Sequence, residues 1–220
     1  MSKEERNFLE AAVALSLLVL GLVGVRFIMA GTWRYGFIPG NLALAWLGYA
    51  SGWWLTQRLA RQLWSTWQNI LLTIVWIFFL PNTWYVITDF IHLYPTGEIS
   101  VVFDAVLLGV LTMTGFLLGF RSLLLVHRQL LRRFKPARAY QLVEAIILTV
   151  SFAIYLGRIL RWNSWDALSN PGGLILTVSD RIIDPLGHPS AINMTSLFFV
   201  TLSVGYFAVW RLAGGFKSTS

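Results

Sequence analysis

Cysteine is absent from the sequence, and charged residues are scarce. Without a thiol the protein can form no disulfide, no thiolate metal site and no covalent cysteine intermediate. Charged residues make up 12% of the chain, whereas roughly a quarter is usual in soluble domains. No P-loop, GxSxG or HExxH pattern and no haem-type histidine pair occurs. These absences exclude several enzyme classes and argue against a protein that folds in water.

Apolar residues are abundant instead. They account for 56% of the 220 residues, and the mean hydropathy is +0.65. The formal net charge of +7 would suit nucleic acid only if the basic residues formed one face of a soluble domain. Here they lie between apolar segments, as they do in proteins that positive charge orients in a membrane. We therefore predict a membrane protein that has the lipid bilayer as its partner and binds no nucleic acid.

Six apolar segments approach the length of about 20 residues that a membrane span needs. The first is too long for a signal-peptide core and lacks a clear cleavage site, so we interpret it as a retained helix. The second is short and contains several glycine and serine residues. The sequence thus predicts an all-α polytopic membrane helix bundle, a single transmembrane domain over residues 1–220. The spans lie at about 9–29, 40–57, 63–80, 101–126, 139–160 and 191–212.

Basic residues are distributed unevenly between the segments that connect the spans. If the N-terminus is cytoplasmic, eleven of the 17 basic residues fall in cytoplasmic segments and three in outer ones. Because positive charge stays on the cytoplasmic side, we predict that both termini are cytoplasmic. The run HRQLLRRFKPARAY then forms a cytoplasmic loop that signals topology or attracts anionic lipid. The three outer basic residues are Arg34, Arg161 and Arg181.

The stretch PNTWYVITDFIHLYP, residues 81–95, carries an aspartate and a histidine directly after the third span. Pro81 is expected to end the preceding helix or kink it, and Asn82 and Thr83 are good caps for a new helix. The pattern predicts a short amphipathic helix over 84–94 on the outer side, either re-entrant or interfacial, with its polar face turned toward protein or water. That polar face consists of Tyr85, Thr88, Asp89 and His92.

Asp89 and His92 lie one helical turn apart and have three interpretations. They could act as an acid–base pair in catalysis. They could bind a metal, but a zinc site needs three or four ligands, and the only other histidine on this side is His188. Alternatively, Asp89 has a structural role, as a cap or as the partner of an arginine. We predict no metal and no cofactor, and we name Asp89 and His92 as the catalytic candidates.

The end of the fifth span, YLGRILRWNSWDALSNPGG, carries a second polar set on the same side. Arg158 lies about one turn inside the membrane boundary, where a charge is costly unless it faces the bundle and finds a partner. Arg161 follows at helical spacing. Asn163 and Asp166 have the spacing of a capping box for the next short helix. Beyond them, LILTVSDRIIDPLGHP predicts a second interfacial helix.

The stretches NLALAWLGY, FFLPNTWYVITDFIHL, TGFLLGF and GRILRWNSWD resemble a known family over about residues 40–210. They are similar to the bacterial membrane proteins called domain of unknown function 1361. The resemblance implies a shared fold and a bacterial inner-membrane location but no reaction, since none is assigned to that family. Trp84 departs from the family pattern, in which we expect a small residue or proline. The residues that match the recurring pattern are Asn82, Tyr85, Asp89, His92, Arg158, Arg161, Asn163 and Asp166.

Three functions from different classes fit these residues, and the oligomeric state stays open. In the first, an outward-facing pocket binds the headgroup of an anionic lipid or envelope precursor, because arginine matches phosphate and carboxylate oxygens. In the second, a membrane enzyme acts on a lipid-linked or envelope substrate through Asp89 and His92. The third, a transporter, is disfavoured by sparse charges within the spans. The predicted ligand-binding residues are Asn82, Tyr85, Thr88, Arg158, Arg161, Asn163 and Asp166.

Overall fold

The computed structural model describes residues 2–95, 97–162 and 166–214, and this part of the chain is helical with no strand. The all-α prediction is therefore confirmed for these residues. In chain order the helices are α1 (Lys3–Ala30), α2 (Ile38–Leu59), α3 (Trp67–Phe79), α4 (Pro81–Tyr85), a 3₁₀ helix (Val86–His92), α5 (Val101–Leu131), α6 (Pro136–Ile159), α7 (Asp166–Ser169), α8 (Pro171–Ile183) and α9 (Pro189–Leu212).

Within the part of the chain that the structure describes, five helical segments are long and apolar enough to cross a membrane. The protein is thus a helical membrane bundle, as the hydropathy predicts. The predicted second span corresponds to α2, which has 22 residues but is not among these five segments. A count of six spans stays a prediction. The five apolar segments are Lys3–Ala30, Trp67–His92, Val101–Leu131, Pro136–Ile159 and Pro189–Leu212.

The helix α2 runs through the whole bundle. Near its start Asn41 donates a hydrogen bond to Asp89, and near its end the Leu59 carbonyl accepts one from Arg133. These contacts define the Asp89 end and the Arg133 end of the bundle. A helix of this length rises about 33 Å, slightly more than the roughly 30 Å of a hydrocarbon core. Because α2 packs against α3, α4 and α5, protein covers much of its less apolar surface, which supports α2 as a sixth span.

Paired charges show that α1 and α5 are antiparallel. Arg26, near the end of α1, contacts Asp104 near the start of α5 at 2.9 Å. At the other end of the pair, Glu5 contacts Arg121 at 2.6 Å. α9 ends beside the last turns of α5, where the ring of Trp210 lies 4.3 Å from that of His127. The start of α1 and the end of α9 therefore both lie at the Arg133 end.

The segment after α3 continues that helix, whereas the sequence predicts a separate helix over 84–94, either re-entrant or interfacial. Leu80 has a helical backbone (φ −55°, ψ −40°) and donates its N–H to the Trp76 carbonyl at 2.8 Å. Pro81 then occupies the first position of α4, where its missing N–H would have had no helical partner. The helical segment therefore begins at Trp67 and extends to His92, whereas the sequence predicts a span over 63–80.

The helix α5 also extends beyond its predicted end, through Leu131 instead of residue 126. His127, which the sequence places in a cytoplasmic loop, is therefore buried, and its Nδ1 lies 2.5 Å from the hydroxyl of Tyr206. Close by on α6 and α9, Ser203 donates a hydrogen bond to Glu144 at 2.6 Å. This internal polar cluster at the Arg133 end joins α5, α6 and α9.

Candidate functional site

A cavity of about 580 Å³ lies at the Asp89 end of the bundle. This volume is within the range of about 300–1,000 Å³ that is usual for small-molecule sites. Its walls come from α2, from the continuous segment α3, α4 and 3₁₀ helix, from α6, and from Leu174 on α8. The lining side chains are Phe37, Asn41, Leu44, Ile77, Phe78, Pro81, Asn82, Tyr85, Asp89, His92, Thr149, Ala153, Leu156, Arg158, Trp162 and Leu174, together with Gly157.

Asp89 is the carboxylate of this cavity and is almost completely covered, at 1% exposure. Its Oδ2 accepts a hydrogen bond from Asn41 Nδ2 at 2.8 Å, and its Oδ1 lies 3.9 Å from Nη1 of Arg158. The 3₁₀ helix has three residues per turn, so Asp89 and His92 lie on the same side of it. Each oxygen of Asp89 thus faces a donor from a neighbouring helix, Asn41 on α2 or Arg158 on α6.

Arg158 supplies the positive charge from the last turn of α6. Its Nη2 donates to the carbonyl of Thr88, and its Nη1 lies 3.4 Å from the hydroxyl of Tyr85. The guanidinium carbon lies 5.7 Å from the centre of the Tyr85 ring. The side chain remains 14% exposed. A guanidinium has five N–H donors, and within the described part of the chain these two bonds use two of them, which leaves donors for the cavity.

His92 ends the 3₁₀ helix and is fixed through its backbone. Its carbonyl accepts hydrogen bonds from Arg34 Nη2 at 2.7 Å and from the hydroxyl of Tyr35 at 3.2 Å. Burial raises the pKa of the Tyr35 phenol, which keeps this hydroxyl a neutral donor. The imidazole packs against the ring of Phe37, with 5.1 Å between centroids. The main-chain contacts hold His92 in the cavity wall, which it lines together with Phe37.

Five of the predicted site residues line the cavity together, namely Asn82, Tyr85, Asp89, His92 and Arg158. Thr88 takes part through its carbonyl, whereas its hydroxyl donates to the Tyr85 carbonyl at 2.7 Å.

Arg161 is exposed and does not line the cavity, and Asp166 begins α7 outside the lining set. Asn163 lies outside the described residues. Asn41 and Phe37, which the sequence reasoning missed, complete the wall.

The position of Arg161 follows from where α6 ends. The helix stops at Ile159, and Arg161 has a left-handed backbone conformation with φ 59°. That conformation turns the chain so that the N–H of Trp162 donates to the Leu156 carbonyl at 3.2 Å. Helical spacing therefore does not hold between Arg158 and Arg161. We expected both arginines in one pocket, and the structure places one there.

A second polar group surrounds His188 between α8 and α9. Its Nε2 lies 2.9 Å from Arg181 Nη1 and 3.0 Å from Asp180 Oδ2, and Arg181 Nε lies 3.3 Å from the hydroxyl of Tyr155. These side chains tie α8 to the end of α6. Within the described residues, no group of three His, Asp or Glu side chains is arranged to hold a metal ion.

A family model described as "Protein of unknown function (DUF1361)" matches residues 41–204. The matched range agrees with the resemblance over about residues 40–210 that the sequence shows. It includes Asn41, Asn82, Asp89, His92 and Arg158, which form the polar wall of the cavity. Neither a curated protein nor a solved structure matches the chain. The chemistry of the cavity must therefore be argued from its own residues.

Proposed function

The chain belongs to the DUF1361 family of proteins of unknown function, and we propose from its own geometry that the cavity binds an anionic headgroup. The ligand would be an anionic lipid or a lipid-linked envelope precursor. The observation that carries this proposal is that Arg158 lines the cavity and, among the described residues, uses only part of its donors, whereas Asp89 is covered and engaged by Asn41. The accessible polar surface therefore favours a ligand that accepts hydrogen bonds.

The donors are suited to a phosphate or a carboxylate. A guanidinium forms parallel hydrogen bonds to two oxygens of such a group. Asn82 and His92 line the same cavity and can add neutral donors. The carboxylate of Asp89 offsets part of the positive charge of Arg158, which limits the net charge that a headgroup meets in the cavity. An acid–base role for Asp89 and His92 has weaker support, since both carboxylate oxygens of Asp89 already face protein donors.

The Arg158→Ala variant tests this proposal. We expect purified wild-type protein in detergent to bind dioleoyl phosphatidic acid more tightly than dioleoylglycerol, which lacks the phosphate. A charge-assisted hydrogen bond contributes about 1.5–3 kcal/mol, so the variant should lose roughly 10- to 100-fold of that preference. Native mass spectrometry at graded lipid concentrations measures both affinities.

The matched control for this experiment is Arg161→Ala, which removes the same charge three residues further on but outside the cavity. It should keep the wild-type preference for the phosphate. A hydrolysis product in either sample would favour the enzyme alternative. Equal binding of the two lipids by the wild-type protein, or equal losses in both variants, would contradict the headgroup proposal.

We further propose that the Asp89 end faces outward from a bacterial inner membrane, with both termini in the cytoplasm. The support is that basic residues concentrate at the Arg133 end, where the connections after α2 and α5 and the start of α1 lie. Positive charge near a membrane surface marks the cytoplasmic side. In this orientation the cavity would take its ligand from the outer leaflet.

Single cysteines test the orientation, because the natural chain has none. Arg132→Cys lies at the Arg133 end and Ser169→Cys in α7, and both positions are exposed. With a membrane-impermeant maleimide on intact cells, we expect labelling of the Ser169→Cys variant alone, and of both variants after permeabilisation. Labelling of the Arg132→Cys variant alone in intact cells would invert the proposed topology.

A further inference from the structure

A second and smaller cavity adjoins the one that contains Arg158. It has a volume of about 260 Å³, lies between α3 and α6, and has α5 behind it. The two cavities share Ile77 and Thr149 in their walls, so they lie next to each other. Ala145 and Thr149 are exposed on its α6 side, which opens this space to the lipid around the bundle. This space, the lateral groove, has its main walls formed by Trp64, Thr73, Ile77, Leu142, Ala145 and Thr149.

The lateral groove, which Trp76 also lines, presents a hydrocarbon surface although four of its side chains carry polar atoms. Each of these donors is used within the protein, so none is left to bind a headgroup or ordered water. The polar wall of the Arg158 cavity has the opposite character. The four internal bonds are Trp64 Nε1 to Thr73 Oγ1 (2.9 Å), Thr73 Oγ1 to the Asn69 carbonyl (2.7 Å), Trp76 Nε1 to Ser122 Oγ (2.9 Å) and Thr149 Oγ1 to the Ala145 carbonyl (2.9 Å).

The cavity and the lateral groove lie end to end along α6. From Leu142 to Arg158 they extend over sixteen residues, or about 24 Å of helix. That is deeper than one leaflet of a hydrocarbon core about 30 Å thick. At the far end lies Trp64, whose ring is 5.6 Å from the guanidinium carbon of Arg133. The site thus has a charged end, an apolar length and an aromatic residue at the opposite end.

We infer that the lateral groove binds the hydrocarbon chain of the molecule whose anionic headgroup lies beside Arg158. This inference rests on the proposed headgroup function. It narrows the ligand to a lipid of which the protein binds one long, linear hydrocarbon chain. The chain enters sideways between α3 and α6, where Ala145 and Thr149 are exposed. Acyl and prenyl chains offer the same chemistry to this surface, so the test includes both.

Photo-crosslinking locates the chain directly. Two probes carry a diazirine at the end of the chain, a phosphatidic acid with an acyl chain and a prenyl phosphate, and each has a neutral analogue without the phosphate. After irradiation of the wild-type protein in nanodiscs, peptide mass spectrometry maps the adducts. We expect adducts from a phosphate probe to be at least threefold enriched at the groove residues of α3 and α6 over other lipid-facing helices. The probe that shows the enrichment identifies the chain as acyl or prenyl.

Two variants separate this inference from the headgroup proposal. Ala145→Phe fills the lateral groove and should abolish the enrichment, whereas the same substitution at Ala14, exposed on α1, should leave it unchanged. If adducts spread evenly while Arg158→Ala still removes the phosphate preference, the groove inference fails and the headgroup proposal stands. If groove adducts form equally with the neutral analogues and in Arg158→Ala, the headgroup proposal fails. Should Ala145→Phe not fold, the adduct map of the wild-type protein still decides the question.

Discussion

Replacing Arg26 with methionine should lower the free energy of unfolding by about 3–5 kcal/mol, the usual result of removing one partner from a buried ion pair. The Arg26 side chain is 2% exposed and that of Asp104 is 4% exposed. Arg26 also contacts Glu98 at 3.2 Å. Methionine keeps much of the apolar stem but leaves Asp104 buried without its cation. The expected loss is therefore electrostatic and not a packing defect.

Unfolding in mixed micelles, followed by circular dichroism, measures this loss. The control is Arg6→Ala, because Arg6 and Glu10 also form an ion pair, at 3.8 Å, but with side chains 61% and 70% exposed. Exposed pairs contribute at most about 1 kcal/mol, so this variant should remain near wild type. The double variant Arg26→Met with Asp104→Leu should recover part of the stability. Additive losses in the double variant would show that the two residues do not stabilise each other.

The ion pairs show which part of the fold the sequence could not predict. Hydropathy locates the helices because a membrane span has to be apolar over its length. It also flags Arg26 and Arg121 as charges within spans. Their partners, however, lie 78 residues away in Asp104 and 116 residues away in Glu5. Residues so far apart in the sequence become neighbours only when the helices pack, so no local pattern could assign the pairs.

The residues of the candidate site likewise divide into those that the sequence could predict and those that it could not. Tyr85, Asp89 and His92 could be grouped from the sequence because they lie on a single helical segment, and all three line the cavity. Asn41 could not, since it lies in the apolar second span and comes next to Asp89 only when α2 packs against the segment that carries Asp89. Arg161 was expected in the pocket because the prediction extended helical spacing past Ile159, where the helix ends. Local periodicity thus predicts residues within one element and fails at element ends and between elements.

Gly115→Ala should destabilise the protein because α5 and α4 approach each other closely at this position. A Cβ atom there would overlap the carbonyl oxygen of Thr83 and come within 2.6 Å of Val86 Cγ2. The Thr83 carbonyl is backbone and cannot rotate away as a side chain could. Overpacking of this kind costs about 1–3 kcal/mol. Glycine therefore allows α5 to support the segment that carries Tyr85 and Asp89.

The displacement of that segment should also weaken the site. Moving α4 and the 3₁₀ helix away from α5 alters the contacts of Tyr85, Thr88 and Asp89 with Arg158. We expect Gly115→Ala to reduce both stability in mixed micelles and the preference for dioleoyl phosphatidic acid. Gly109→Ala is the matched control, since a Cβ on Gly109 of the same helix meets nothing within 4 Å. It should raise stability by up to about 1 kcal/mol, as expected for alanine in place of glycine within a helix. Equal stabilities of the two variants would contradict the close packing of α5 against α4.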